Sequence, residues 1–184
     1  ASFKAVSIIK PMTFGKLHLP SSSKAGDVVY KDKRIEIEFL HEGDGRRLKC
    51  FMKNFDEKMD FNCDLILNNE PEDSMVIATP FTEDPRAFYY NQKIIGMTAN
   101  GVATIGGQEY QFNPATAFAT LDWGRGVWTY RNTWYWGSAS GRLNGKMFGF
   151  NIGYGFGDTS AASENMLFYN GRAHKLEHVT FHIP

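Results

Sequence analysis

Tight-turn signals set the strongest limit on this chain. Asn-Gly pairs stand at 100–101, 144–145 and 170–171, and Gly43-Asp44 and Gly106-Gly107 add two further two-residue turns. Asn-Gly is the strongest short signal for a type I′ hairpin, because both central residues take positive φ; a leading Gly suits type II′. No segment carries a long 3.6-residue apolar stripe, so helices are not expected to cover the strands. A long meander without helices curls into a barrel or folds into a sandwich. The expected class is all-β and antiparallel, with at most a short helix near residues 159–164. There Asp158, followed by Thr159-Ser160-Ala161-Ala162-Ser163-Glu164, suits a helix cap.

Residues 33–67 give the clearest registers. Ile35, Ile37 and Phe39 alternate with Glu36 and Glu38, the pattern of a half-buried strand. A turn at Gly43-Asp44 sets Phe39 opposite Leu48, Ile37 opposite Cys50 and Ile35 opposite Met52, with Glu38 opposite Lys49 outside. In the next hairpin Cys50 faces Cys63, Leu48 faces Leu65 and Met52 faces Phe61, while Lys49 meets Asp64 and Lys53 meets Asp60. Each cross-strand pair contributes only roughly 0.2–1 kcal/mol, but a one-residue slip would turn the apolar set to water. Three antiparallel strands with one wet face follow. The two cysteines read first as buried thiols packing as small hydrophobes, with a strained cross-strand disulfide as the alternative.

Further strands are expected at Phe3–Ile9, from Asp27-Val28-Val29-Tyr30, at Ser74–Phe81, at Phe88–Ile95, at Gln108–Phe112 and at Met166–Tyr169. With 184 residues the chain is long enough for one domain with a real core. Twenty basic and twenty acidic side chains balance, which argues against a nucleic-acid or anionic-membrane surface. No apolar run is long enough to span a bilayer, so no transmembrane segment is expected. Ala1-Ser2-Phe3-Lys4 lacks a charged-then-apolar leader, which points to the cytoplasm unless a leader has been removed.

All four tryptophans fall between Asp122 and Gly137, among Asp122-Trp123-Gly124-Arg125-Gly126-Val127-Trp128 and Trp134-Tyr135-Trp136. Indoles cover large apolar area and carry an N–H that seeks a partner. The turn at Asn144-Gly145 sets Trp136 opposite Gly153, Trp134 opposite Gly155, Ser138 opposite Asn151 and Ser140 opposite Gly149. The other face sets Phe148 against Gly141, Phe150 against Ala139 and Ile152 against Gly137, so each large ring meets a small partner. The Phe148-Phe150-Ile152 face reads as pure core. The Trp134, Trp136, Ser138 and Asn151 face mixes rings with hydrogen-bonding groups, as ligand pockets do; the inside of a small filled barrel is the other reading.

His174, His178 and His182 share strand parity but sit about 13 Å apart along an extended chain, too far to share one metal. No metal and no cofactor are expected. There is no Gly-x-Ser-x-Gly elbow, phosphate loop or dinucleotide fingerprint.

Several longer strings resemble a known family. Phe88-Tyr89-Tyr90-Asn91-x-Lys93, Leu121-Asp122-Trp123-Gly124-Arg125-Gly126-Val127-Trp128, Trp134–Gly141, Phe148–Asp158 and Ser163-Glu164-Asn165 resemble the bacterial domain-of-unknown-function family 2804, from about residue 70 to the end. That family carries no established activity. Its members are longer, which implies that this single β domain, 1–184, is part of a longer two-barrel protein. The family is distantly similar to lipocalin-like two-barrel proteins that include carotenoid hydratases of the hydroxyneurosporene-synthase type and tocopherol cyclases. Those share an Asp and a Trp-Gly near a strand end, as Asp122-Trp123-Gly124 does here. The resemblance implies a lipocalin-like barrel or sandwich.

Three functions follow as expectations. One is binding of a small apolar or amphipathic molecule against Trp128, Trp134 and Trp136, with Arg125, Ser138, Asn151 and Asp158 at its polar end. Another is a hydratase or cyclase that protonates an isoprenoid-like alkene, which needs a neutral carboxylic acid and ring faces that attract a cation. Asp122 is its first acid and Glu164 its second; an Asp122–Arg125 ion pair closing the strand end is the structural alternative. The last is a ligand-free interaction domain, since two apolar faces on the Trp hairpin call for cover from missing sequence or a second copy, as in a homo-oligomer.

Overall fold

In a computed structural model, residues 18–160 and 162–182 are described. They form twelve strands, all paired antiparallel, and no helix. No helix of these residues is therefore long and apolar enough to cross a membrane. The expected strand at Phe3–Ile9 lies outside the described residues.

The chain divides into two compact units, 1–68 with 99–113 and 69–98 with 114–184. In the first, β1 (Val28–Lys31), β2 (Ile35–Glu42), β3 (Gly45–Asp56) and β4 (Met59–Asn68) lie side by side in chain order. The second half of the long strand β6 (Asp84–Ile105) follows, paired with β7 (Gln108–Phe112). The expected registers hold: Phe39–Leu48, Ile37–Cys50, Ile35–Met52 and Glu38–Lys49 in one hairpin, then Leu48–Leu65, Cys50–Cys63 and Met52–Phe61 in the next. Gly43 has φ +58, as the first central residue of a type II′ turn needs. Both cysteines are free and half-buried, and burial is the first cause that pushes each thiol up.

Two details of the charge ladder differ. Lys49 stands opposite Asp64 as expected, but the hydrogen bonds to that carboxylate, both 2.7 Å, come from Arg47. The Lys53–Asp60 pair is lost to an irregularity between Met52 and Asp56, and the Asp60 carboxylate instead accepts the Asn54 N–H at 2.9 Å.

The second unit is a two-layer sandwich. One layer is β5 (Met75–Phe81), the first half of β6 and β8 (Phe118–Val127), with β6 in the middle. The other is β9 (Tyr135–Leu143), β10 (Lys146–Tyr154), β11 (Met166–Tyr169) and β12 (Arg172–Lys175), paired in the order β9-β10-β11-β12. Met75, Ile95 and Phe168 meet in the core between the layers, with Ile77, Met147, Met166 and Ala173 packed around them. The Trp hairpin pairs as expected from Trp136–Gly153 to Phe148–Gly141. Trp134 and Gly155 lie just beyond the ladder.

Three expectations are corrected here. Asn100-Gly101 does not turn; β6 runs straight through it. Gly101 has φ +141, not the left-handed value of a type I′ turn, and a Cβ there would lie 2.1 Å from the Asp64 carbonyl oxygen. That glycine serves close approach of β4, not reversal. Asp158 caps no helix: residues 162–165 are irregular, and its carboxylate accepts the Ser160 N–H at 3.0 Å and hydroxyl at 2.6 Å, closing a turn. On β10, Phe148, Phe150 and Ile152 are only half-buried, whereas Gly149, Asn151 and Gly153 are buried. The face of small and polar residues is the inner one, because Ile95 occupies the space over Gly149 and Glu164 the space over Gly153. The other turn signals hold: Gly106-Gly107, Asn144-Gly145 and Asn170-Gly171 each have both residues at positive φ and close two-residue hairpins.

Candidate functional site

The site grows from an unusual inward face of β6. Tyr89, Asn91 and Lys93 are two residues apart and so share one side of the strand. Asn91 is fully buried and the Lys93 side chain is 4% exposed. Across the ladder Asn91 faces Gly124 and Lys93 faces Asp122. The Asn91 amide nitrogen lies 2.6 Å from Tyr89 Oη, 2.6 Å from Asp122 Oδ1 and 3.0 Å from the Trp123 carbonyl. Lys93 Nζ lies 2.9 Å from Asp122 Oδ2.

The facing layer supplies the second half. Asn151, buried on β10 beside Trp136 of β9, accepts the indole N–H at 2.8 Å. Its amide nitrogen donates to the Glu164 carbonyl and to Glu164 Oε2, both at 2.9 Å. The same Oε2 stands 3.3 Å from Lys93 Nζ. That ammonium also lies 4.6 Å from the centre of the Trp136 ring. One buried cation thus joins two carboxylates and a ring face, and each partner is fixed by a buried asparagine. Gly153 leaves room for this: a Cβ there would sit 2.0 Å from Glu164 Oε1. The Gly153 N–H donates to Asn165 Oδ1 at 2.8 Å, which pins the segment carrying Glu164.

Beside this network opens a cavity of about 710 Å³, lined by Trp128, Trp134, Trp136, Phe156 and Tyr130 together with Tyr89, Asp122, Glu164, Lys93, Thr129 and Asn132. Phe156 organises the rings: Tyr89 meets it edge-on at 4.7 Å, Trp134 at 5.2 Å and Trp128 at 6.0 Å between centroids. Trp128 and Trp134 come from the irregular segment between β8 and β9, and Thr129 and Asn132 there hydrogen-bond each other. The indoles of Trp128, Trp134 and Trp136 remain about half exposed, so the cavity opens to solvent.

Electrostatically the polar end is acidic, with two carboxyl groups against one ammonium. Burial first, then the charges of Asp122 and Glu164, push the Tyr89 hydroxyl well above the usual phenol range. It therefore stays protonated at neutral pH. Since its oxygen accepts from Asn91, its own O–H is left to donate.

Asp122, Glu164, Trp128, Trp134 and Trp136 thus come together around one cavity. Asn151 stands behind the wall and positions Trp136 and Glu164. Three expected residues are not among those lining the cavity. Ser138 neighbours Asn151 across the hairpin, its hydroxyl buried without a partner among the described residues. Asp158 closes its own turn. Arg125, three positions from Asp122, projects from the opposite face of β8, beside Tyr90. The Asp122–Arg125 ion pair is therefore not formed; Lys93 and Asn91 are the partners of Asp122.

Sequence reasoning misses Lys93, Tyr89, Asn91 and Phe156 as site residues. A signal is present: three polar or hydroxylated residues at strand spacing, running straight into Ile94-Ile95. Polar side chains on the inner face of a central strand need partners, and those partners turn out to be the site.

No curated protein and no solved structure matches this chain. A family model does, under the description domain of unknown function, DUF2804, and the match runs over residues 1–184. It therefore takes in the hairpins before residue 70 as well as the strings that carry Lys93, Asp122, Trp136 and Glu164. On that full-length match, the chain belongs to the DUF2804 family.

Proposed function

We propose that the second unit binds a small amphipathic molecule, its apolar body against Trp128, Trp134 and Phe156 and its polar end toward Asp122 and Tyr89. The observation that carries this reading is the ring-lined cavity of about 710 Å³ with a polar network at one side. Its size is in the range of small-molecule sites, and a mostly aromatic wall with a few fixed polar groups is their usual make-up. The network is also pre-organised: Asn91 and Asn151 hold the carboxylates and the indole in place. Less ordering is then left for the ligand to supply.

Acid catalysis on an alkene is less well supported. That chemistry asks for a carboxyl group with no cation beside it, and Asp122 has the Lys93 ammonium at 2.9 Å.

Titration with the neutral fluorophore N-phenyl-1-naphthylamine tests the binding reading. Saturable binding of one molecule per chain is expected, weakened at least tenfold by Trp134→Ala, a half-exposed ring outside the strand ladder. Circular dichroism checks that the variant keeps its fold. Failure of the intact protein to bind any such probe would refute the proposal.

A further inference from the structure

The charge of the polar end narrows the ligand further. The lining contains one cationic side chain, Lys93, and two acidic ones, Asp122 and Glu164. Lys93 is not available to an incoming anion. Its side chain is 4% exposed, and its ammonium is already shared between Asp122 Oδ2, Glu164 Oε2 and the Trp136 ring. A carboxylate or phosphate entering here would meet two carboxylates first, and would have to displace one of them to reach the lysine.

The acceptors, in contrast, have capacity left. Among the described residues Glu164 Oε2 takes both the Asn151 and Lys93 contacts, while Oε1 accepts no hydrogen bond. Asp122 is 43% exposed toward solvent and holds one partner on each oxygen, so each keeps a lone pair. Around them stand Trp128, Trp134, Trp136 and Phe156, whose ring faces attract positive charge. The Lys93 ammonium 4.6 Å from the Trp136 centroid shows that this environment accommodates one such cation.

We infer that the ligand presents an organic ammonium group to Asp122 and Glu164, with its apolar remainder on the rings. This rests on the binding reading above and adds the sign of the head group. Carboxylate- and phosphate-headed amphiphiles are excluded by the same charge pattern that holds Lys93.

Calorimetric titration with decylammonium, decan-1-ol and decanoate, each below its aggregation threshold, separates the two levels of the argument. Decylammonium is expected to bind at least tenfold tighter than decanoate. Asp122→Asn should cut the decylammonium affinity roughly tenfold, the scale of one partly desolvated charge contact, and weaken decan-1-ol by clearly less, since an amide oxygen still accepts from a hydroxyl. Glu164→Gln provides a second variant if Asp122→Asn does not fold. Binding of all three with similar affinity, or tighter binding of decanoate, overturns the ammonium inference while the binding reading stands. Binding of none overturns both.

Discussion

Gly153 shows how one absent atom holds the site together. Its missing Cβ is the space the Glu164 carboxylate occupies, within reach of Asn151 and Lys93. Gly153→Ala should destabilise the protein by about 1–3 kcal/mol, because Glu164 must swing off two buried partners. In a Glu164→Ala background the same substitution should cost clearly less. A urea double-mutant cycle measures the difference, and equal costs in both backgrounds would show that the carboxylate is not the obstacle. Tyr89 makes a second prediction, through pH. Its hydroxyl titrates well above the ordinary phenol value of about 10 in the folded chain, by burial and then by the nearby carboxylates. A raised folded value means that the stabilisation is whole below about pH 10 and is lost as the unfolded chain begins to ionise above it. Stability should therefore fall less steeply in Tyr89→Phe than in the parent between about pH 9 and pH 11. Tyr30, raised by its hydrogen bond to Asp32, contributes the same slope to both proteins. Parallel urea midpoints across that range would count against the assignment.

At the scale of elements, the two Asn-Gly pairs at 100–101 and 144–145 look alike and behave differently. Gly145 sits at φ +76 in a real turn, and a Cβ added there would meet nothing within 4 Å. Gly145→Ala should cost about 1 kcal/mol, the backbone strain alone. Gly101 meets the Asp64 backbone carbonyl at 2.1 Å, and a backbone atom in a paired strand has nowhere to go. Gly101→Ala should therefore cost about 2–4 kcal/mol, well above Gly145→Ala, through strand separation rather than turn strain. Equilibrium unfolding of the two variants side by side decides it; equal losses would mean β4 tolerates the methyl group.

Across the whole molecule, β6 is shared, with residues up to Thr98 in one unit and from Ala99 in the other. It is bonded on both edges in each half: to β5 and β8 before the division, and to β4 and β7 after it. All four tryptophans belong to the second unit, so their fluorescence reports that unit alone, whereas far-ultraviolet circular dichroism reports both. Because β6 runs on from one unit into the other, the two signals should give the same urea midpoint. Separate midpoints would show that the halves of β6 unfold independently.

The antiparallel class, the β2–β3–β4 registers and the pairing of the Trp hairpin are legible in the residues alone. Each follows from a short turn together with an alternation only a few residues away, and such interactions need no knowledge of the rest of the fold. The sequence also brings forward Asp122, Glu164 and the three cavity tryptophans, as acids and N–H-bearing rings that seek polar partners. Which strand faces turn inward depends instead on the assembled fold. Lys93 on an isolated strand has no preferred side; it is buried because β9, β10 and the segment leading into β11 bring Trp136, Asn151 and Glu164 over β6. Arg125, more suggestive in sequence, falls on the other side of β8 by strand parity. The straight run through Asn100-Gly101 was decided by Asp64, far away in the chain and close in space. Turn chemistry is local and legible, whereas the choice of a buried face depends on what another layer brings to cover it.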